Sequence, residues 1–228
     1  MQSRHSGSAG VAERSPDGFD TEFSREDRLR LAVIVASTRP GRAAPFVANW
    51  FEAQAQQFGR FEVEMIDLAE LALPLFDEPA HPRLRQYGNE HTKRWSETVA
   101  RADAFVIITP EYDHVPPAAL TNALQYLMQE WAYKPAGFVS YGGVSAGLRG
   151  VQQTKLLLNA LRMVPVLEAV SIPFFAQHID REKGSFEPGE TQEKAAQAML
   201  AELHKLATAL RPLHTPIHLE RQTTHATR

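Results

Sequence analysis

The amino-acid sequence predicts an α/β fold: a three-layer sandwich in which helices cover both faces of a five-stranded parallel sheet. Apolar runs typical of strands alternate with segments of helical spacing five times along the chain. Polar segments follow the first, third and fourth of these runs, and the first and last of these segments carry glycine, as expected of loops at the carboxyl ends of parallel strands. The chain has 228 residues, of which 43% are hydrophobic, enough to bury one sizeable core.

In the first half of the chain, residues 29–36 form a short, β-branched run that predicts a buried strand. Residues 43–58 carry aromatic and aliphatic side chains at helical spacing. Residues 61–67 alternate apolar and polar side chains, as a half-covered edge strand does. A proline-bearing loop is expected over 68–88, and a helix over 89–101.

In the second half, the apolar run 103–109 predicts another buried strand. Pro117 suits the first turn of a helix, and the apolar stripe that follows it reaches Trp131 at spacings of three and four residues. The remaining predicted elements are strands at 136–140 and 164–172 and helices at 148–163 and 190–210.

The strand patterns also predict the order of the sheet. The second strand has the composition of an edge, whereas the first and third have the apolar composition of central strands. This favours the flavodoxin-like order 2-1-3-4-5, in which ligands bind where the winding direction switches, between the first and third strands. The predicted domain covers 28–211, between a disordered N-terminal tail at 1–27 and a C-terminal arm at 212–228.

Charge and composition exclude several classes of function. The formal net charge is −3, which is not typical of a surface that binds nucleic acid or coats a membrane. The chain has no cysteine, which excludes disulfides, thiolate metal sites and cysteine nucleophiles. No apolar run is long enough to span a bilayer, and a reducing compartment fits the composition, so we expect a cytoplasmic protein.

The first polar segment has the features of a phosphate site. It lies between a strand end and a helix start, where free N–H groups and the helix dipole favour an anion. Hydroxyl and guanidinium donors come from Ser37, Thr38, Arg39 and Arg42. The alternative is an ordinary helix start with solvated arginines. The segment matches neither a Walker sequence nor G-x-G-x-x-G.

The second and third polar segments are suited to a planar ring. Prolines stiffen the second, which comprises Pro110, Glu111, Tyr112, Asp113 and His114. The alternative, a metal or acid–base cluster, is disfavoured because no second ligand segment accompanies it. The third segment is the most glycine-dense part of the chain and offers Tyr141, Gly142, Gly143 and Gly147. Glycines allow close approach of a ligand to the backbone, although a plain strand-to-helix turn is an alternative.

The joined pattern TPEYDHVPPAALTNALQYL…EWAYKPAGFVSYGGVSAGLRGVQQ resembles the NAD(P)H-dependent FMN reductases, a flavodoxin-like family that includes quinone, azo-dye and chromate reductases. The resemblance covers about residues 29–175. It implies bound FMN, NADPH or NADH as co-substrate, ping-pong hydride transfer to a small electron acceptor, and a homodimer or homotetramer.

The same resemblance implies roles for individual residues. Ser37, Arg39 and Arg42 would hold the FMN phosphate. Pro110, Glu111, Tyr112 and His114 would border the isoalloxazine ring, with Tyr141, Gly142, Gly143 and Gly147 on its other side. The chain departs from the family at two positions: Ala36 stands where many relatives have glycine, and Arg42 where many have serine.

Three other functions remain open: a flavodoxin-like electron carrier, an interaction protein without a working flavin site, and a dehydrogenase that binds NAD alone. Near-neutral charge, Arg39 and Arg42 argue against the carrier, and the missing G-x-G-x-x-G argues against the dehydrogenase. Two further segments are candidates for partner contact: the aromatic set Trp131, Tyr133, Phe174 and Phe175, which is otherwise core, and the loop 71–87. His214 and His218 are assigned to the arm rather than to a metal, because Pro216 separates them.

Overall fold

A parallel sheet of five strands in the order β2-β1-β3-β4-β5 forms the centre of the computed structural model, which describes residues 28–214. The strands are β1 (Leu29–Val35), β2 (Phe61–Asp67), β3 (Ala104–Pro110), β4 (Pro135–Tyr141) and β5 (Val164–Ile172). The helices are α1 (Ala44–Phe58), α2 (Leu68–Leu71), α3 (Glu90–Arg101), α4 (Ala118–Gln125), α5 (Leu148–Ala160) and α6 (Glu190–Leu210). The predicted fold class and strand order are confirmed.

The alternation of side chains along the central strands gives the sheet two buried faces. In β1, Leu31 and Val33 pack toward α1 and α6, whereas Ala32 and Ile34 pack toward α3, α4 and α5. All seven residues of β3 and of β4 are buried, as expected of strands covered on both sides. β2 lies at one edge, as its sequence predicts, but its burial does not alternate: only Phe61 and Ile66 are buried, and the other residues are half-buried or exposed.

The helix predicted to reach Trp131 is shorter in the structure. α4 ends at Gln125, and Trp131 belongs to a separate 3-10 turn, Gln129–Trp131. The helix can end there because the indole N–H of Trp131 donates to the carbonyl of Leu124 over 3.2 Å. This carbonyl is one of the last four of the helix, which have no acceptor role within the helix itself. Trp131 is fully buried and packs on Phe105 with ring centroids 4.9 Å apart, so it is a core residue.

Other local differences from the predictions lie in the connections. The loop 68–88 contains α2 and a 3-10 turn, Pro82–Leu84, because proline is tolerated in a first turn. A two-stranded hairpin, β6 (Ile179–Asp180) with β7 (Ser185–Phe186), was not predicted. A further 3-10 turn, Arg211–Leu213, directly follows α6 at the start of the predicted arm.

The predicted N-terminal tail, 1–27, and residues 215–228 of the predicted arm lie outside the described residues. Across 28–214, none of the helices has the length and apolar character needed to cross a bilayer.

Candidate functional site

Three loops meet at the carboxyl edge of the sheet: the first loop (37–43) after β1, the second loop (110–117) after β3 and the third loop (141–147) after β4. The hydroxyls of Ser37 and Tyr112 share a hydrogen bond of 2.7 Å that joins the first loop to the second. Ser145 Oγ donates to Glu111 Oε1 over 2.7 Å and joins the third loop to the second. The three polar segments therefore form one continuous rim.

The two arginines of the first loop have different surroundings. Arg42 makes a two-pronged ion pair with Asp67 at the end of β2, at 2.6 and 2.5 Å, and also donates to the carbonyl of Ser37. The hydrogen-bonded pairing with Asp67 raises the pKa of Arg42 above the ordinary arginine value. Arg39 is exposed, with its guanidinium carbon 6.0 Å from the centroid of the Tyr112 ring. Only Arg39 is therefore free to meet an anion from solution.

The backbone of the first loop supplies further anion donors. Ser37 is buried and its hydroxyl already pairs with Tyr112, whereas Thr38 is exposed. Within the described residues, the N–H groups of Thr38, Arg39, Gly41 and Ala43 have no backbone acceptor. Unpaired N–H groups ahead of a helix form an anion cradle. A Cβ on Gly41 would meet nothing within 4 Å, so the space in front of the loop is open.

The second loop is a tight turn with an unusual backbone. Asp113 and His114 both adopt positive φ, 48° and 72°, and Tyr112 and Val115 exchange N–H···O bonds of 2.9 and 3.0 Å across them. Non-glycine residues in this region are uncommon and are concentrated at functional sites. The turn exposes Asp113 and His114 and directs the Tyr112 hydroxyl to Ser37.

Glu111 faces α5 rather than the open rim. Its carboxylate accepts hydrogen bonds from Ser145 Oγ, from the backbone N–H of Arg149 (3.1 Å) and from Arg149 Nε (2.8 Å). The pairing with Arg149 is the main reason why the pKa of Glu111 is lowered to about 2. Arg149 Nη1 also forms a hydrogen bond of 2.7 Å with His114 Nε2, so Arg149 of α5 contacts the second loop at both Glu111 and His114.

The third loop needs two of its glycines for its own shape. Gly147 has φ 79°, and a Cβ there would lie 2.9 Å from the carbonyl oxygen of Tyr141. A Cβ on Gly142 would lie 3.0 Å from the N of Gly147, whereas one on Gly143 would meet nothing within 4 Å. Gly143 therefore borders open space, where a ligand can approach the backbone.

The side chain of Tyr141 lies inside the fold. It is buried, its ring packs on Phe175 at 5.2 Å between centroids, and burial raises its pKa above the ordinary tyrosine value. Taken together, the rim offers an anion cradle on the first loop and, beside it, a stiff turn and an open glycine backbone.

Comparison with known proteins identifies the family of the chain. The family model of NADPH-dependent FMN reductases matches residues 29–177, more than half of the chain. The chain belongs to this family. Membership confirms the resemblance seen in the sequence, the assignment as an oxidoreductase enzyme, and FMN and NAD(P)H as cofactor and co-substrate.

The reductase is similar to curated relatives in two yeasts. It is 37% identical to an NAD(P)H-dependent FMN reductase of Schizosaccharomyces pombe over 63% of this chain and 74% of the relative. It is 32% identical to one of Saccharomyces cerevisiae over 59% of this chain and 76% of the relative. Among solved structures, the flavoenzyme FerB of Paracoccus denitrificans shares the fold, with a TM-score of 0.61, 21% identity, and coverage of 80% of this chain and 98% of that chain.

All the predicted site residues of the reductase belong to the three loops, but the side chain of Tyr141 and the backbone of Gly147 are buried, and Glu111 faces α5. The sequence prediction missed two residues that contact the site: Asp67, which forms an ion pair with Arg42, and Arg149, which forms one with Glu111. Both lie at element ends that face the rim, which is the only signal that marks them in the sequence. No three His, Asp or Glu side chains within 28–214 are grouped as metal ligands are.

Proposed function

We propose that the chain is an NAD(P)H-dependent FMN reductase that binds FMN along the rim and passes reducing equivalents to a small acceptor such as a flavin or quinone. The observation that carries the proposal is the joining of the three loops at one edge, with an anion cradle beside an open glycine backbone. When bound, FMN supplies the hydride chemistry, and the protein supplies binding and orientation.

In this proposal the FMN phosphate lies on the first loop. Thr38, Arg39 and the free N–H groups of the loop contact it, and the cradle fits because these N–H groups have no backbone acceptor and the space beside Gly41 is open. Ser37 and Arg42 do not contact the phosphate directly, because the Ser37 hydroxyl is hydrogen-bonded to Tyr112 and the Arg42 guanidinium to Asp67. They hold the loop in the shape that the phosphate needs.

The isoalloxazine ring is proposed to lie between the second and third loops. Pro110, Tyr112, Asp113 and His114 border one side, and Gly142 and Gly143 the other. Three residues are proposed to support the two loops without contacting the ring: Glu111, which is bound to Arg149 of α5, and Tyr141 and Gly147, which are buried. NAD(P)H and the acceptor then use the same open face in turn, which is a ping-pong order.

The proposal includes a homodimer or homotetramer. Leu75 and Phe76 are exposed, yet their segment is anchored to α4: the Asn122 side chain accepts from the N–H of Phe76 at 3.0 Å and donates to the carbonyl of Pro74 at 2.7 Å. A firmly held, exposed apolar segment is suited to a protein contact. A cytoplasmic location is proposed with it, on the cysteine-free composition.

Anaerobic mixing of the flavin-loaded protein with NADPH or NADH tests the proposal. We expect the visible flavin absorbance to bleach within seconds and to return when a quinone is added. Initial rates measured against NADPH concentration, at several fixed concentrations of the acceptor, should give parallel lines in a double-reciprocal plot, as ping-pong kinetics require. A flavin that stays oxidised would indicate an electron carrier, and a protein that takes up no FMN would indicate an interaction protein.

A further inference from the structure

A cavity of about 340 Å³ lies away from the rim, at the edge where strands begin rather than end. Two of its lining residues, Tyr133 and Arg162, stand two positions before the first residues of β4 and β5. Others come from the turn Pro82–Leu84 and from the segment after α4. Three separate segments therefore build it, and none of its residues belongs to the proposed FMN site.

The lining combines basic and apolar side chains. Arg83 and Arg162 supply two guanidinium groups, and Met128 and Leu161 supply apolar surface. No carboxylate lines the cavity, and within 28–214 neither arginine is in an ion pair. By contrast, Arg85 lies 3.6 Å from the buried carboxylate of Glu130.

The backbone at Arg162 is the strongest sign that its side chain is in use. α5 ends in a Schellman motif, in which Met163 N–H bonds the carbonyl of Leu158 at 2.9 Å and Arg162 N–H that of Asn159 at 3.0 Å. The residue in the Arg162 position of this motif takes a left-handed conformation and is usually glycine. Arg162 adopts it with φ 60°. Arginine thus occupies a place where glycine would relieve strain.

Tyr133 shares this strain and braces the same wall. It has φ 63°, and its N–H donates to the carbonyl of Arg162 over 2.8 Å. Arg83 is fixed from the other side, because Gln129 Nε2 donates to its carbonyl over 2.6 Å. Strained backbone of this kind persists only where surrounding structure enforces it, and it is concentrated at ligand sites. The backbone that carries the two arginines is therefore fixed beside one cavity.

We propose that this cavity binds a small planar aromatic anion, with a carboxylate as the anionic group. A carboxylate matches the planar fork of a guanidinium, and a ring can lie against Met128 and Leu161. The volume fits a ligand of one or two rings, since sites for small molecules begin at about 300 Å³. The site is additional to the proposed reductase function and does not depend on it.

Calorimetric titration of the flavin-loaded protein with sodium benzoate tests the proposal. We expect saturable binding of one benzoate per chain, with benzamide, the uncharged analogue, at least tenfold weaker. Inorganic phosphate, an anion without a ring, should also bind more weakly. Equal binding of benzoate and benzamide, or no saturable binding of benzoate, would overturn the proposal.

The decisive variant is Arg162→Gly, because it removes the guanidinium while suiting the backbone. We expect the free energy of unfolding to be unchanged or raised and benzoate affinity to fall at least tenfold, which is about 1.4 kcal/mol. Ala72→Gly is the matched control: Ala72 has φ 47° at the end of α2, outside the cavity, so the change relieves similar strain and should leave benzoate affinity unchanged. Arg83→Gln should also weaken the binding of benzoate. Unchanged benzoate affinity in Arg162→Gly would show that the cavity is not the site.

Discussion

At the scale of single residues, two arginines three positions apart in the first loop have separable roles. Arg42 is held by Asp67 and by the carbonyl of Ser37, and the side chains of the ion pair are only 17% and 21% exposed. Arg39 is exposed and pairs with no carboxylate within the described chain. The sequence shows two equivalent cations, and only the neighbouring strand distinguishes them.

Arg39→Ala should therefore weaken FMN binding and leave the fold intact. We expect FMN affinity to fall about ten- to a hundredfold, since one charge-assisted hydrogen bond contributes about 1.5–3 kcal/mol. The midpoint of urea unfolding without FMN should stay within error of the wild-type value. Fluorescence titration of FMN and a urea series measure the two quantities.

Arg42→Ala is the matched comparison. Because it leaves the carboxylate of Asp67 partly buried without its partner, it should lower the free energy of unfolding by about 2 kcal/mol in the absence of FMN. If Arg39→Ala destabilised the FMN-free protein as much as Arg42→Ala does, the assignment of Arg39 to the phosphate would be wrong.

Glu111 makes the stability of the protein depend on acid pH. Arg149 lowers its pKa from 4.5 to about 2, so the pairing is complete above pH 4.5. As the pH falls from 4.5 toward 2, the unfolded chain takes up the proton first, and the stabilisation is lost. Because Arg149 is half exposed, we expect a loss of about 1–2 kcal/mol.

Comparison with Glu111→Gln isolates this contribution from those of other acids. The variant should be less stable than wild type at pH 6, and the difference between the two should shrink as the pH falls to 3. Urea unfolding at a series of pH values measures it. A difference that did not change with pH would mean that the Glu111 carboxylate is not paired in solution.

At the scale of elements, agreement between sequence and structure depends on whether local pattern or distant contact decides the boundary. The predicted bounds of β2, β5 and α6 match the structure because each has a clear period and a polar or glycine stop. α4 ends early because Trp131 satisfies the end of the helix from outside it, which no local pattern reveals. Likewise, the three loops are recognisable in sequence, but the contacts of Asp67 and Arg149 depend on how strands are ordered.

The contact between β4 and α6 has one position that tolerates no side chain. A Cβ on Gly137 would lie 2.6 Å from the sulfur of Met199 and 3.2 Å from Leu203 Cδ1, and both side chains are fully buried. Gly137→Ala should therefore push α6 away from the sheet and lower the free energy of unfolding by about 1–3 kcal/mol. Chemical denaturation measures the change.

Gly143→Ala, in the third loop that follows β4, is the control for Gly137→Ala, because a Cβ there meets nothing within 4 Å. We expect its stability to equal that of wild type and its FMN affinity to fall, since the added methyl group enters the proposed ligand space. A destabilised Gly143→Ala protein would show that the third loop is packed more tightly than the structure indicates.

At the scale of the whole molecule, the sheet joins two apolar clusters that share the central strands, so the described domain should unfold as one unit. A ligand held at the rim contacts loops that extend from β1, β3 and β4 together. Binding there should consequently stabilise the entire domain rather than one segment.

Thermal unfolding with FMN and with riboflavin tests this coupling and the phosphate assignment together. At a concentration one hundred times Kd, FMN should add about 2.7 kcal/mol, which raises the Tm of a domain of this size by about 5–10 °C. Riboflavin at the same concentration lacks the phosphate that the first loop is proposed to hold, so its shift should be much smaller. In Arg39→Ala the difference between the Tm shifts produced by FMN and by riboflavin should become smaller, because the variant loses only the contact with the phosphate, which riboflavin lacks. Equal shifts from FMN and riboflavin in the wild-type protein would place the phosphate away from the first loop, since its free N–H groups and Arg39 would then contribute nothing to binding.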